Sequence, residues 1–153
     1  MQQKIIIGVG NIYRHDDGFG PAVIKMLQTK AIANYDLLDG GTDGLALLDV
    51  IAKYEKAIII DAVHMSAPPG TVKIFTPEEA LIKIKSDVLS THGFGIAEVI
   101  KLAEELNIKT EIVIVGIEPE DISFGEGLSK VVTAKLPEVV AWIQGVDSGV
   151  RHR

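Results

Sequence analysis

Three segments of the chain are apolar without interruption, at residues 5–9, 57–60 and 112–115. Strands that are buried on both faces have this pattern, whereas strands with one exposed face alternate apolar and polar side chains. The pattern predicts three neighbouring strands in the centre of a parallel sheet.

Two weaker segments complete a predicted sheet of five strands. One is residues 35–39, and the other is residues 71–75, which follow the turn Pro68-Pro69-Gly70 and alternate apolar with polar side chains. The exposed lysine expected at Lys73 is typical of an edge strand, because a charge there hinders pairing with another chain. We therefore expect residues 71–75 at an edge of the sheet.

Segments with helical spacing lie between these strands. Their apolar residues are Ala22, Val23, Met26 and Leu27; Leu45, Leu47, Leu48 and Ile51; Ile96, Val99, Ile100 and Ala103; and Val131, Val132, Leu136, Val139, Val140 and Ile143. Pro137 should kink or divide the last segment, since proline removes a helical hydrogen bond. The alternation predicts a three-layer α/β/α sandwich formed by a single domain at residues 1–146, with a flexible tail at 147–153.

Composition and charge narrow the classes of partner and site. The length of 153 residues with 47% hydrophobic residues is typical of one globular domain, and a formal net charge of -6 disfavours nucleic acid and anionic membranes as partners. No apolar stretch approaches the roughly 18 residues of a membrane span, so we expect a cytoplasmic protein. The chain has no cysteine, so any metal must be held by histidine and carboxylate ligands.

Several polar residues follow predicted strands directly. Asp17 ends the glycine-bearing loop after the first strand, Asp39 ends the second strand, and Asp61 ends the third. His92 begins a predicted helix that leads into the last parallel strand, so it should start at the same carboxyl edge, where open α/β sheets bind ligands. Two carboxylates and one imidazole suit a divalent ion such as zinc or nickel. These positions predict an open metal site formed by Asp17, Asp61 and His92.

Simpler structural roles compete for the same residues. Asp16 fits a helix N-cap better than a ligand, whereas Asp17 fits the ligand role better. Asp39 fits a turn with the two glycines after it as well as it fits direct chemistry.

Asp61 is harder to explain by structure alone, because a carboxylate among isoleucines is rarely buried without a partner or a metal. His92 on its own is typical of a helix-start residue, and only its expected edge favours coordination. Two further histidines near this edge are expected at the surface: His15 and His64.

A nucleotide- or dinucleotide-binding module is the strongest alternative. In that case Gly8-Val9-Gly10 would cradle a phosphate and Asp39 would contact a ribose. The third glycine of the dinucleotide fingerprint is missing, with Tyr13 in the loop, and Asp61 and His92 would have no function. Peptidyl-tRNA hydrolase has a similar strand end, but its tRNA partner calls for a basic face. A non-enzymatic nickel chaperone with the same ligands is a third alternative.

The same residues belong to a longer series of motifs. In order, the motifs are Gly8-Val9-Gly10-Asn11, Asp16-Asp17-Gly18-x-Gly20, Asp39-Gly40-Gly41-Thr42, Asp61-Ala62, Pro69-Gly70-Thr71, His92 and Val115-Gly116-x-x-Pro119. Over residues 4–145 this series resembles the hydrogenase maturation endopeptidases, which trim the C-terminus of the large subunit of nickel-iron hydrogenases. Each motif is weak alone, and their order and spacing make the resemblance specific.

The resemblance implies a fold, a ligand set and an activity. The family's three-layer fold contains a five-stranded, mostly parallel mixed sheet whose fourth strand, here residues 70–75, is antiparallel. Its metal ligands correspond to Asp17, Asp61 and His92, and Asp39 is a further catalytic candidate. The implied activity is one cut that removes a C-terminal extension from a large-subunit precursor after nickel insertion. Nickel in the substrate would be the recognition signal, with zinc or cadmium as surrogates.

Overall fold

A computed structural model describes residues 3–30, 32–80 and 96–146, in which five strands form one mixed sheet. The strands are β1 (Lys4–Val9), β2 (Tyr35–Gly41), β3 (Lys56–Ala62), β4 (Val72–Phe75) and β5 (Glu111–Ile117). Their order across the sheet is β2-β1-β3-β5-β4, and only the pair of β4 and β5 is antiparallel. The predicted central strands, the edge position of β4 and its direction are confirmed.

Helices follow β1, β2 and β5 along the chain, and another precedes β5. A 3-10 helix (His15–Gly18) leads into α1 (Phe19–Gln28), and the others are α2 (Gly44–Ile51), α3 (Ile96–Glu105), α4 (Lys130–Thr133) and α5 (Leu136–Gly145). Pro137 lies in the first turn of α5, where its missing N–H is tolerated, and it separates α5 from α4 as predicted. The predicted tail at residues 147–153 lies outside the described residues, so the extent of the domain stays a prediction.

Two apolar cores lie on opposite faces of the sheet, because side chains alternate along each strand. Ile5 and Ile7 belong to the core beneath α2 and α3, whereas Ile6, Ile58 and Ile60 belong to the core beneath α1 and α5. All five side chains are buried. This is the predicted three-layer α/β/α arrangement.

Helix α1 packs so closely on β1 that two positions accept only glycine. A Cβ on Gly20 would lie 2.5 Å from the carbonyl oxygen of Ile60 and 2.6 Å from the backbone nitrogen of Val9. A Cβ on Gly8 would lie 2.3 Å from the carbonyl oxygen of Gly20. This contact holds the β1–α1 loop, which carries Asp17, against the end of the sheet.

Candidate active site

The carboxyl end of β1 is the switch point of the sheet. β2 pairs with one side of β1 and β3 with the other, so the two crossovers leave β1 in opposite directions. A crevice forms where such crossovers diverge, and ligands of open α/β sheets bind there. The β1–α1 loop (residues 10–18) and the end of β3 border this crevice.

Asp17 and Asp61 lie close enough at the crevice for their charges to interact. Both are buried, with 7% and 4% of their surfaces exposed. The backbone N–H of Asn11 donates a 2.9 Å hydrogen bond to Oδ2 of Asp17 and orients that carboxylate. Burial, followed by the negative charge of Asp17, raises the pKa of Asp61 well above its usual range, although a hydrogen bond with the backbone of Ala62 opposes the shift.

A pair of buried carboxylates has the donor chemistry that a divalent cation requires. Two negative charges at one crevice destabilise each other unless a proton or a cation neutralises one of them. Within residues 3–30, 32–80 and 96–146, no group of three or more histidine or acidic side chains is placed to hold a metal ion. His92, the predicted third ligand, lies outside these ranges, so the complete ligand set stays a prediction.

Asp39 lies at the mouth of the crevice and forms a local turn. Its side chain is exposed, and Oδ1 accepts a 3.1 Å hydrogen bond from the backbone N–H of Gly41. The predicted end of the second strand at Asp39 is wrong by two residues, because Gly41 still pairs with Val9 after a shift in register. β3 likewise continues one residue past Asp61. The turn role of Asp39 is observed, and its catalytic role stays a prediction.

Asp16 does not cap a helix, so the N-cap interpretation is wrong. Gly18 occupies the N-cap position of α1 and Arg14 that of the 3-10 helix, and neither helix has a side-chain cap. The fully buried carboxylate of Asp16 accepts four hydrogen bonds of 2.7–3.1 Å from the β5–α4 loop (residues 118–129). The donors are the backbone N–H groups of Glu120, Asp121 and Ser129 and the hydroxyl of Ser129. Asp16 therefore joins the β1–α1 loop to the β5–α4 loop.

Arg14 and His15 fasten the same two loops. Nε of Arg14 donates a 3.1 Å hydrogen bond to the carbonyl oxygen of Ile122, and its guanidinium lies 4.8 Å from the ring centroid of Phe124. Nδ1 of His15 lies 2.9 Å from the carbonyl oxygen of Gly127. Because that oxygen can only accept, Nδ1 must be the protonated nitrogen. Three consecutive side chains thus fix the position of the loops that border the crevice.

Glu118 is a buried carboxylate that the sequence pattern did not single out. Its Oε1 accepts hydrogen bonds from the backbone N–H groups of Met65, at 2.6 Å, and Ala67, at 3.1 Å, while Oε2 lies 3.3 Å from Nδ1 of His64. These contacts hold the segment after β3, a few residues beyond Asp61. The sequence signal that singled out Asp61, a carboxylate next to an apolar strand, is also present at Glu118.

A groove of about 530 Å³ opens beside the crevice and follows α1. Its lining includes Gly18 next to the crevice, Asp39 of β2, Lys25 and Gln28 along α1, and Leu128 of the β5–α4 loop. Because a helix rises 1.5 Å per residue, the stretch from Gly18 to Gln28 is about 15 Å long. An extended peptide of roughly four residues fits this length.

The glycines after β1 do not form an open phosphate cradle. A Cβ on Gly10 would lie 1.8 Å from the carbonyl oxygen of Asp17, and the N–H of Gly10 already donates to the carbonyl oxygen of Gly41 at 2.9 Å. Phosphate binding requires backbone N–H groups that are free to face the ligand. The loop geometry therefore argues against the nucleotide-binding alternative.

Comparison with known proteins agrees with this fold. Residues 21–145 match the family described as hydrogenase maturation protease. The chain is 30% identical over 140 residues to the hydrogenase expression/formation protein HupD of Thiocapsa roseopersicina, covering 89% of this chain and 63% of HupD. It is 31% identical over 140 residues to HoxM of Cupriavidus necator, with 89% and 69% covered. The solved structure of the hydrogenase maturating endopeptidase HybD from E. coli matches with a TM-score of 0.79 and 29% identity, covering 99% of this chain and 96% of HybD.

The chain therefore belongs to the hydrogenase maturation protease family, and the resemblance seen in the ordered motifs is confirmed. It spans 63% of the length of HupD but nearly all of HybD. In the part of the chain that the structure describes, no helix is long and apolar enough to cross a membrane.

Proposed function

We propose that the protein is an endopeptidase that removes the C-terminal extension of a nickel-iron hydrogenase large-subunit precursor after nickel insertion. Family membership supports the reaction class and the hydrogenase substrate. The observation that carries the location of the reaction is the buried pair of Asp17 and Asp61 at the switch point. The neighbouring groove suits an extended segment, which is the form that a C-terminal extension presents.

Nickel enters this reaction as part of the substrate. We assign Asp17, Asp61 and His92 as the groups that bind it when the precursor docks. The two carboxylates fit a cation, because a positive charge at the crevice would relieve the repulsion that contributes to the raised pKa of Asp61. Zinc or cadmium are the expected surrogates in binding experiments.

The residues of the chain position the peptide bond and the ion. Nickel can polarise the scissile carbonyl or lower the pKa of a bound water. Asn11 orients the carboxylate of Asp17 through its backbone N–H, and Asp16 holds the surrounding loop. Asp39 lines the groove and is the candidate group for contact with the substrate backbone. We also propose that cleavage takes place in the cytoplasm, a compartment that suits a chain without cysteine.

Cleavage can be tested with purified large-subunit precursor, with and without nickel, by intact mass. The wild-type protein should shorten the nickel-loaded precursor once and leave the nickel-free precursor unchanged. Asp61→Ala and His92→Ala should stay folded and leave both forms uncut, because they remove ligands rather than core volume. Asp49→Ala, an exposed aspartate on α2, is the matched control and should cut normally.

Four other outcomes would contradict parts of the proposal. Normal processing by both ligand variants would exclude the assigned site. Equal cleavage with and without nickel would exclude recognition of the metal. Nickel transfer without any shortening of the precursor would identify a nickel chaperone, and stabilisation by NAD or ATP but not by nickel would favour a nucleotide-binding module.

A further inference from the structure

Exposed apolar side chains are concentrated at the carboxyl edge of the sheet. Among the described residues, four of the six exposed large apolar side chains lie there. Ile12 and Tyr13 lie on the β1–α1 loop, Phe124 lies on the β5–α4 loop, and Leu45 lies in the first turn of α2. We call Ile12, Tyr13 and Phe124, which are 49%, 57% and 78% exposed, the apolar rim.

The apolar rim is held in place by the contacts between its two loops. The N–H of Gly125 donates a 2.8 Å hydrogen bond to the carbonyl oxygen of Tyr13, and Arg14 lies over the ring of Phe124. The buried carboxylate of Asp16 adds four more bonds between the same loops. A surface that is already ordered binds a partner without the entropic cost of ordering flexible loops.

The apolar rim is continuous with the candidate active site. Ile12 lines the groove beside α1, and Asn11, which precedes it, binds the carboxylate of Asp17. A peptide that reaches the crevice therefore arrives next to the apolar rim. The rest of the same substrate molecule then comes within reach of this surface.

The charges around the apolar rim indicate the chemistry of its partner. Three acidic side chains are exposed on the β5–α4 loop: Glu120, Asp121 and Glu126. Hydrogen bonds from the hydroxyl and the backbone N–H of Ser123 keep the pKa of Asp121 below its usual range, so it is ionised at neutral pH. Arg14 is the only lysine or arginine in residues 10–18 and 118–129, and it is engaged with Phe124. Such a surface repels anionic membranes and attracts a protein surface with basic residues.

The geometry points to the apolar rim as the docking site for the folded body of the precursor, which would present an apolar patch surrounded by lysine and arginine. This inference rests on the proposed function. It assigns two tasks to two surfaces: the groove binds the segment that is removed, and the apolar rim binds the protein that remains. Exposed aromatic side chains at the centre of a contact commonly contribute much of the binding energy.

A double variant, Tyr13→Ser with Phe124→Ser, tests this assignment against the matched control Leu106→Ser. Leu106 is 64% exposed but follows α3, at the opposite edge of the sheet. Processing of nickel-loaded precursor should show KM raised roughly ten- to a hundredfold in the double variant, with kcat retained, because burial of an aromatic side chain contributes that much to binding. Leu106→Ser should match the wild type, and kcat/KM of the wild type should fall with rising salt.

Binding measured separately in an Asp61→Asn background distinguishes docking from cleavage. Weaker binding in the double variant would support the apolar rim as the docking site. Absence of any precursor cleavage would contradict only the proposed function and would leave this binding result valid. Binding equal to that of Leu106→Ser in the same background, or no salt dependence, would overturn the inference. Wild-type dimers that the double variant abolishes would also overturn it, because a second copy of the chain would then be the occupant. Thermal unfolding checks the fold, and Phe124→Ser alone replaces the double variant if that variant is unstable.

Discussion

Burial and the nearby carboxylate of Asp17 together raise the pKa of Asp61 well above its ordinary value of 3.8. Asp16, the residue before Asp17, is also buried, yet its carboxylate accepts four hydrogen bonds from the β5–α4 loop. The negative charge of Asp61 therefore opposes folding of the metal-free protein, whereas the negative charge of Asp16 is compensated by donors. The two carboxylates should respond to substitution in opposite directions.

Asp61→Asn is expected to stabilise the metal-free protein at neutral pH. Folded Asp61 keeps its proton at pH values at which the unfolded chain has released it. The stability that this retained proton contributes is complete below pH 3.8. It declines as the pH rises towards the raised pKa of Asp61 and stays low above that pKa. The neutral amide removes the decline. Thermal unfolding with a chelator should give a Tm higher by roughly 2–4 °C for each kcal/mol gained.

The same variant should lose precursor processing, because an amide is a poor ligand for a divalent ion. Asp49→Asn on the exposed side of α2 is the control and should change neither stability nor processing. A lower Tm for Asp61→Asn at neutral pH would show that the charge of Asp61 is compensated in the metal-free protein.

Asp16→Ala is expected to reduce the free energy of unfolding by roughly 3–5 kcal/mol, because four hydrogen bonds from part-buried donors lose their buried acceptor. Urea denaturation with an unchanged m value measures this loss. Asp16→Asn retains one acceptor oxygen and should lose less. A loss for Asp16→Ala that stays below about 1 kcal/mol would indicate that water replaces the carboxylate.

The strands could be predicted because burial leaves a direct pattern in the sequence. Residues 5–9, 57–60 and 112–115 are uniformly apolar since both faces of the central strands are covered. Lys73 indicated the edge strand in the same way. The direction of β4 came from the family resemblance, because the periodicity of a strand does not depend on its direction.

The roles of Asp16 and Glu118 could not be predicted from local patterns. The donors to Asp16 lie 104–113 residues away, and the groups that contact the Glu118 carboxylate lie 51–54 residues away. An aspartate before a helix has the same local signature whether it caps the helix or binds a distant loop. Asp61 was recognised because its own apolar neighbours made an unpaired carboxylate improbable. His92 stays a prediction, since it lies outside the described residues.

Glu118→Ala is expected to lower kcat/KM for precursor processing roughly 10- to 100-fold, the range for groups that support a metal site from behind its ligands. The loss follows because Met65 and Ala67 lose the carboxylate that fixes the segment after β3. Glu118→Gln keeps an acceptor and should retain part of the activity. Glu111→Ala, at the exposed start of β5, the strand that Glu118 directly follows, is the control. Full activity of Glu118→Ala would show that the position of this segment does not affect the reaction.

Tyr54 should make the protein sensitive to alkaline pH. Its hydroxyl donates a hydrogen bond to Asp36, and this bond, followed by burial and the charge of Asp36, raises the pKa of Tyr54 from 10.0 to about 12. The folded state therefore keeps this phenol protonated when the unfolded chain has lost the proton. The resulting stability is complete below pH 10.0 and is lost between 10.0 and about 12.

Asp36→Asn should return the pKa of Tyr54 towards 10.0. The ultraviolet absorbance of tyrosinate measures this titration, and Tyr54→Phe shows which part of the absorbance change belongs to Tyr54. Identical titration curves for Asp36→Asn and the wild type would mean that the hydrogen bond does not persist in solution.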